Sequence, residues 1–144
     1  MEMSFDVRPL DSVSMRPAFA VAVLASPDLT LARFRKACAS VRTGVLTGLF
    51  DGRGYVHGLF RARVVARKGG GGTLCANDLI LTDVIAACQL KGIVSALARH
   101  AKAGGCDQLT VALRPDMLTL GYGLINLLED IGFDRDSALL TLAL

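Results

Sequence analysis

One stretch constrains this chain more than any other: an apolar run that changes its period partway along. From Leu79 to Gly105 it reads LILTDVIAACQLKGIVSALARHAKAGG. Leu79, Ile80, Leu81, Val84 and Ile85 are nearly continuous, the pattern of a buried strand. Leu90, Ile93, Val94, Leu97, Ala98 and Ala101 then recur at intervals of three and four, one face of a helix. Gly104 and Gly105 follow, where glycine takes a left-handed cap at little cost. The junction predicted between strand and helix is Gln89-Leu90-Lys91-Gly92-Ile93-Val94-Ser95. A turn there aims the free N–H groups of the first helical turn outward, with Lys91 beside them. Such an arrangement suits a phosphate or pyrophosphate.

Everything else has to pack around that unit. The chain has 144 residues, 52% of them apolar, enough for a single domain (1–144) with a real core. No apolar run reaches the length of a membrane-spanning helix, and the start MEMSFDVRPL lacks the regions of a signal peptide. The expectation is a cytoplasmic protein with no membrane partner. Cys38, Cys75, Cys88 and Cys106 are widely spaced, without a C-x-x-C pair or a histidine at zinc spacing, and read as four buried free thiols with no metal. A net charge of +3 is mild, and aromatic residues are too sparse around Arg61, Arg63, Arg67 and Lys68 for a base-stacking surface. Nucleic acid is therefore not an expected partner; that cluster reads as a solvated strand edge or a mouth for an acidic ligand.

Before the central stretch, residues 4 to 10 alternate as a strand, and Pro9 places it at an edge or a strand end. Residues 14 to 25 carry two signals, and Ser14 with Pro17 favours a helix over the alternation of Phe19, Val21 and Val23. Leu31, Phe34, Cys38 and Val41 predict a second helix capped by Asp28 or Thr30. Val45 to Phe50 and Tyr55 to Ala66 form a hairpin about Asp51-Gly52-Arg53-Gly54. Four glycines from Gly69 precede a strand from Leu74 to Ile85. Past the central helix come a strand from Gln108 to Leu113 and a helix opened by Asp116. Its buried side is Met117, Leu120, Leu124, Leu127, Leu128 and Ile131. A final strand runs from Leu139 to Leu144, and as an apolar chain end it can pair with a second copy in a homodimer. The result is an α/β fold with a central mixed β-sheet flanked by helices, in the order β-α-α-β-β-β-α-β-α-β.

This order, with the string QLKGIVSAL, resembles the GNAT superfamily of acyl-CoA-dependent N-acetyltransferases. The superfamily signature is [QR]-x-x-G-x-[GA], matched here by Gln89 and Gly92 and followed by Ser95-Ala96-Leu97. The string LLEDIGF before the last strand matches as well. The likeness spans most of the chain in element order, but in sequence it is sharp only over Asp83 to Leu97 and Leu127 to Phe133. It implies acetyl-CoA as cofactor and a small-molecule or peptide amine as substrate. Gln89, Lys91, Gly92, Ile93, Val94 and Ser95 would hold the pyrophosphate, and Val84 and Ile85 the pantetheine arm. Two positions depart from the family. Val94 stands where glycine or alanine is usual, so its branched side chain is expected to crowd the pyrophosphate, and Val94→Gly to tighten binding. Leu128 stands where many members carry the tyrosine that protonates the departing thiolate; Tyr122, six residues upstream, is the nearest substitute. These departures keep an alternative in view: a catalytically weak or inactive domain that binds acyl-CoA as a sensor or interaction module. Arg67 to Gly72 also fits the short signature, but a strand follows it, so it lacks the helix end that binding an anion requires.

The implied reaction needs a base for the attacking amine. Asp83, on the signature strand, is the best-placed carboxylate, the other reading being a strand-end Asp bonded to a nearby amide. Asp78 reads as a turn or edge residue, His57 as a half-exposed strand residue or a groove-lining one, and His100 as part of a solvated helix face.

Overall fold

The computed structural model describes residues 4–40, 42, 44–82, 87–113, 122–136 and 139–144. Seven strands form one sheet: β1 (Asp6–Pro9), β2 (Val45–Phe50), β3 (Val56–Ala66), β4 (Gly72–Leu81), β5 (Gln108–Leu113), β6 (Asp134–Asp136) and β7 (Leu139–Ala143). Their spatial order is β1-β2-β3-β4-β5-β7-β6. Only β4 and β5 run parallel; every other neighbouring pair is antiparallel. Among the described residues four helices flank the sheet: α1 (Met15–Ala25), α2 (Leu31–Ala39), α3 (Ala87–Ala103) and α4 (Tyr122–Ile131).

The helix α3 is the crossover between the two parallel strands, and it buries Leu90, Ile93, Val94, Leu97 and Ala101 as its periodicity predicts. Ala98 is only half-buried, and Ala96 packs in its stead. With Leu74, Ala76, Leu79 and Leu81 of β4, and with Ile125 and Leu128 of α4, these residues form the larger core. Each large aliphatic side chain so buried contributes about 1.5–3 kcal/mol. A smaller cluster lies under α1 and α2, where Ala18, Val21, Ala22 and Phe34 meet Leu59 and Ile80.

Local chemistry sets the ends of these elements. Thr30, not Asp28, caps α2, its hydroxyl accepting from the Arg33 amide at 3.2 Å. At the end of α3, Gly105 has φ +79°; its amide donates to Lys102 O, and the Cys106 amide reaches back to Ala101 O at 2.9 Å. The end of α4 repeats the device, with Gly132 at φ +123° and the Phe133 amide bonded to Leu128 O. In the hairpin turn the Asp51 carboxylate accepts from the amides of Arg53 and Tyr55. The edge position expected from Pro9 holds, since β1 is the first strand of the sheet.

Three expectations need correction. The element order gains one strand, because Asp134–Asp136 pairs with β7. Its sequence, Asp-Arg-Asp, has no apolar alternation, and as the outer strand it needs none. The free edge expected of the chain end is accordingly taken: Leu139, Leu140 and Thr141 have β5 or β6 partners on both sides. Thirdly, of the described thiols only Cys106 is buried, while Cys38 and Cys75 are half-buried. Val41, Asp116, Met117 and Leu120 lie outside the described residues.

Strand β4 carries one residue more than its neighbours. Between Asn77 and Ile80 it advances three residues while β3 advances two, and the register with β5 shifts between Ala76 and Leu79 in the same sense. The extra residue is Asp78, at φ +55°, the only non-glycine residue with positive φ among those described. Aspartate tolerates this conformation better than branched or bulky residues do. Leu74 and Ala76 face the α3 core, and strict alternation would send Asp78 there next. The bulge inverts the phase, so Leu79 and Leu81 enter that core and Asp78 comes out on the α1–α2 side.

Candidate functional site

The topology brings two kinds of chemistry to the parallel pair. The first is at the start of α3. The described part of this helix runs from Ala87, so Gln89 to Ser95 lie within the helix and not in the turn predicted there. Ala87, Gln89, Leu90 and Lys91 are good helix formers, and the single Gly92 does not outweigh them. The amides of Lys91, Gly92, Ile93, Val94 and Ser95 are i→i−4 donors inside it. The helix's open donors thus sit upstream of where the signature alone puts them.

Lys91 is exposed and lines a cleft of about 210 Å³ with Leu127, Asp130 and Ile131 of α4. Gln89 is half-buried, Ser95 exposed and Gly92 buried. Val94 is 6% exposed and belongs to the core. Its side chain therefore points away from any ligand at the helix start, which removes the predicted crowding. Leu128, 2% exposed, is likewise a core residue. Asp83, Val84 and Ile85 lie outside the described residues; Tyr122 is the first residue of α4, and nothing is described of its side chain. A helix N-terminal end with an exposed lysine in its opening turns is the kind of donor set a diphosphate takes, so the residues present fit coenzyme A.

A second feature lies on the opposite face of the sheet. A cleft of about 260 Å³ is walled by apolar side chains of α1, α2 and the sheet, and it holds two charged residues, Asp78 and Arg61. Sequence reasoning passed over Asp78 because Asn-Asp in a strand reads as a turn. The signal that could have found it is the alternation, which fails just there. Arg61 belongs to the cluster read as a solvated strand edge or a mouth for an acidic ligand, and its guanidinium turns back onto the carbonyls of Ala37, Ser40 and Gly44, each at 3.4 Å. The rest of that edge is neutralised in part, with Arg67 paired to Asp107. The Gly69 to Gly71 stretch is a turn closed by the Arg67 amide on Gly71 O, with no helix after it.

His57 is the extra residue of a bulge in β3, opposite the Leu49–Phe50 step. Its Nε2 lies 2.7 Å from Asp51 Oδ2, and its ring meets Phe5 edge-on at 5.6 Å. The His57 carbonyl accepts from both the amide and the hydroxyl of Thr82. This is a clamp joining the hairpin to the end of β4. The hydrogen bond from His57 is the chief cause holding the Asp51 carboxyl below its usual range. His100 is half-buried in the last turn of α3. At Cys38, burial pushes the thiol pKa up, as expected of a packing thiol and not a nucleophile. Among the described residues no group of three or more His, Cys, Asp or Glu could hold a metal ion, and no helix is long and apolar enough to cross a membrane.

Comparison with known proteins agrees with the architecture. No protein-family model matches the chain, and no curated protein does. Solved structures do. Aminoglycoside N-acetyltransferase AAC(6')-Iy in complex with CoA superposes at a TM-score of 0.59, with 13% identity over 95% of this chain and 92% of that one. The NatC complex bound to Gag peptide and CoA gives 0.57, with 15% identity over 99% of each chain. Aminoglycoside 6'-N-acetyltransferase AAC(6')-Ih from Acinetobacter baumannii gives 0.58, with 13% identity over 92% of each. At such identities the likeness is one of fold alone. The chain has the GNAT acetyltransferase fold, in a divergent sequence.

Proposed function

We propose that this chain is an acetyl-CoA-dependent N-acetyltransferase acting on a primary amine. The observation that carries the reading is the opening of α3. That helix opens on the carboxyl side of β4, one strand of the parallel pair, where open α/β sheets bind ligands, and Lys91 in its opening turns is exposed. Bound acetyl-CoA supplies the activated acyl group. The α3 amides and Lys91 hold its diphosphate. On the other face Asp78 is the carboxylate placed to take the proton that the amine sheds as its new C–N bond forms. The assignment rests on its opening into a cleft, while Asp83, the carboxylate the signature suggests, lies outside the described residues. The departing thiolate takes its proton from water, since Leu128 offers none and lies within the core.

That last point favours a second reading, acyl-CoA binding without transfer. Calorimetric titration with acetyl-CoA, followed by thiol release across an amine panel, separates the two. Binding with release supports the transferase; binding without release supports the second reading; no binding defeats both. Lys91→Ala is expected to weaken acetyl-CoA binding by about 1–2 kcal/mol, the scale of one charge-assisted contact.

A further inference from the structure

The cleft on the α1–α2 face has a composition of which the transferase reading uses only Asp78. Its walls are apolar, from residues such as Leu29, Phe34, Leu46 and Ile80, yet it holds one carboxylate and one guanidinium. The two come from adjacent strands: Arg61 is the register partner of Asn77, and Asp78 is the next residue. They do not pair with each other. The three bonds Arg61 makes are long and all go to carbonyls, which leaves its positive charge without an anion among the described residues. Asp78 is held out by the left-handed bulge and makes no ion pair among them. Opposite charges side by side in an apolar cleft, unpaired, are complementary to a ligand carrying both signs.

We infer that the acceptor is a small zwitterion, an α-amino acid with an apolar side chain, its amine at Asp78 and its carboxylate at Arg61. The inference rests on the transferase reading for the fate of the amine. A guanidinium suits a carboxylate because its planar donors meet two oxygens at once, and it has N–H groups beyond the three already engaged. The cleft volume, about 260 Å³, is below the roughly 300–1,000 Å³ of drug-sized sites, which matches a single amino acid better than a larger polyamine.

The test compares L-leucine, L-leucinamide and isopentylamine, which share a side chain and an amine but not the carboxylate. Each is titrated into the full chain with and without saturating coenzyme A, and each is assayed for thiol release from acetyl-CoA. Leucine is expected to bind at least tenfold more tightly than either analogue. In Arg61→Gln that ratio should collapse towards one while isopentylamine affinity stays put. Asp78→Asn should weaken both ligands. Because Arg61 also ties α2 to β2, thermal melts accompany the variant, and Arg61→Lys serves if the glutamine protein does not fold. An equal loss for leucine and isopentylamine in a folded variant would mean a structural role alone and overturn the inference. So would equal affinities in the unmodified chain, or no binding of any of the three. Thiol release with isopentylamine at the leucine rate would sink the zwitterion and leave the transferase standing. Failure to bind acetyl-CoA would sink the transferase, and the leucine ratio without coenzyme A would still judge the cleft.

Discussion

The two faces of β4 are built to different ends. Towards α3 the strand presents Leu74, Ala76, Leu79 and Leu81, all buried and part of one apolar cluster. Towards α1 and α2 it presents exposed Asp78 and buried Ile80, both lining an open cleft. One strand thus serves as wall of a core and floor of a candidate site. What allows both is the single extra residue, since it decides which side chains go to which face. Packing energy is concentrated on one side so that the other can keep a charge and a cavity.

Shifting the phase of β4 should break that division most severely. Deletion of Asp78 alone closes the bulge and leaves Leu74, Ala76, Leu79 and Leu81 on one face, so it should keep a cooperative fold. Deletion of Asn77 together with Asp78 shortens the strand by one residue more and turns Leu79 and Leu81 out of the α3 core. Each displaced leucine costs about 2–5 kcal/mol, so the pair rivals the roughly 5–15 kcal/mol by which a domain of this size is stable. The expected result for the double deletion is a chain without a cooperative urea transition. A double-deletion variant that unfolds at the same urea concentration as the parent would show that the phase of β4 does not set the core.

The next effect tests the core side alone. Val94→Gly removes a buried side chain from the middle of α3 and adds glycine's helix penalty of about 1 kcal/mol. A total loss of about 2–4 kcal/mol is expected by chemical denaturation. Acetyl-CoA affinity should not rise. The sequence alone argues the opposite, because position in a signature says nothing about which way a side chain faces once Gln89 to Ser95 lie within the helix.

That contrast marks how far the residues can be read without coordinates. The α3 stripe, the Asp51–Gly54 hairpin and the parallel crossover were legible because each is a local pattern with one physical solution. Strand β6 was not, since Asp-Arg-Asp carries no periodicity and is a strand only because β7 offers it an edge. Nor was the acidic group of the cleft. Asn77-Asp78 has the chemistry of a turn, and only pairing on both sides keeps it within a strand. Asp83, the carboxylate that the signature suggests, lies outside the described residues. The turn over Gln89 to Ser95 was misplaced because helix propensity upstream of Gly92 is high, and no residue there stops the helix from starting early.

A smaller effect sharpens the comparison from the cleft side. Asp78→Gly relieves the left-handed backbone and should leave stability unchanged or raise it by up to about 1 kcal/mol. Asp78→Val puts a branched residue at φ +55° and should cost about 1–2 kcal/mol. Both should abolish thiol release. Glycine would then separate the two duties of position 78, giving a sound fold with an idle site. An Asp78→Gly protein that still turns over at the parent's rate would remove the carboxylate from the mechanism without touching the fold.

The smallest effect is a pH dependence at the clamp between the hairpin and β4. The Asp51 carboxyl lies below its ordinary value of 3.8, chiefly through the hydrogen bond from His57, then through the amides of Tyr55 and Arg53. A depressed carboxyl stabilises the fold fully above the ordinary value, and the contribution is lost as pH falls through the depressed one. Asp51→Asn keeps an oxygen for the two amides but cannot titrate. Its stability deficit against the parent should be constant from neutral pH down to about 5, then shrink below about pH 4 as the parent's carboxylate protonates. Urea midpoints of both proteins measured from pH 7 to pH 3 give the curve directly. Parallel lines down to pH 3 would mean that the clamp does not depend on the charge, and that the turn is held by the backbone bonds alone.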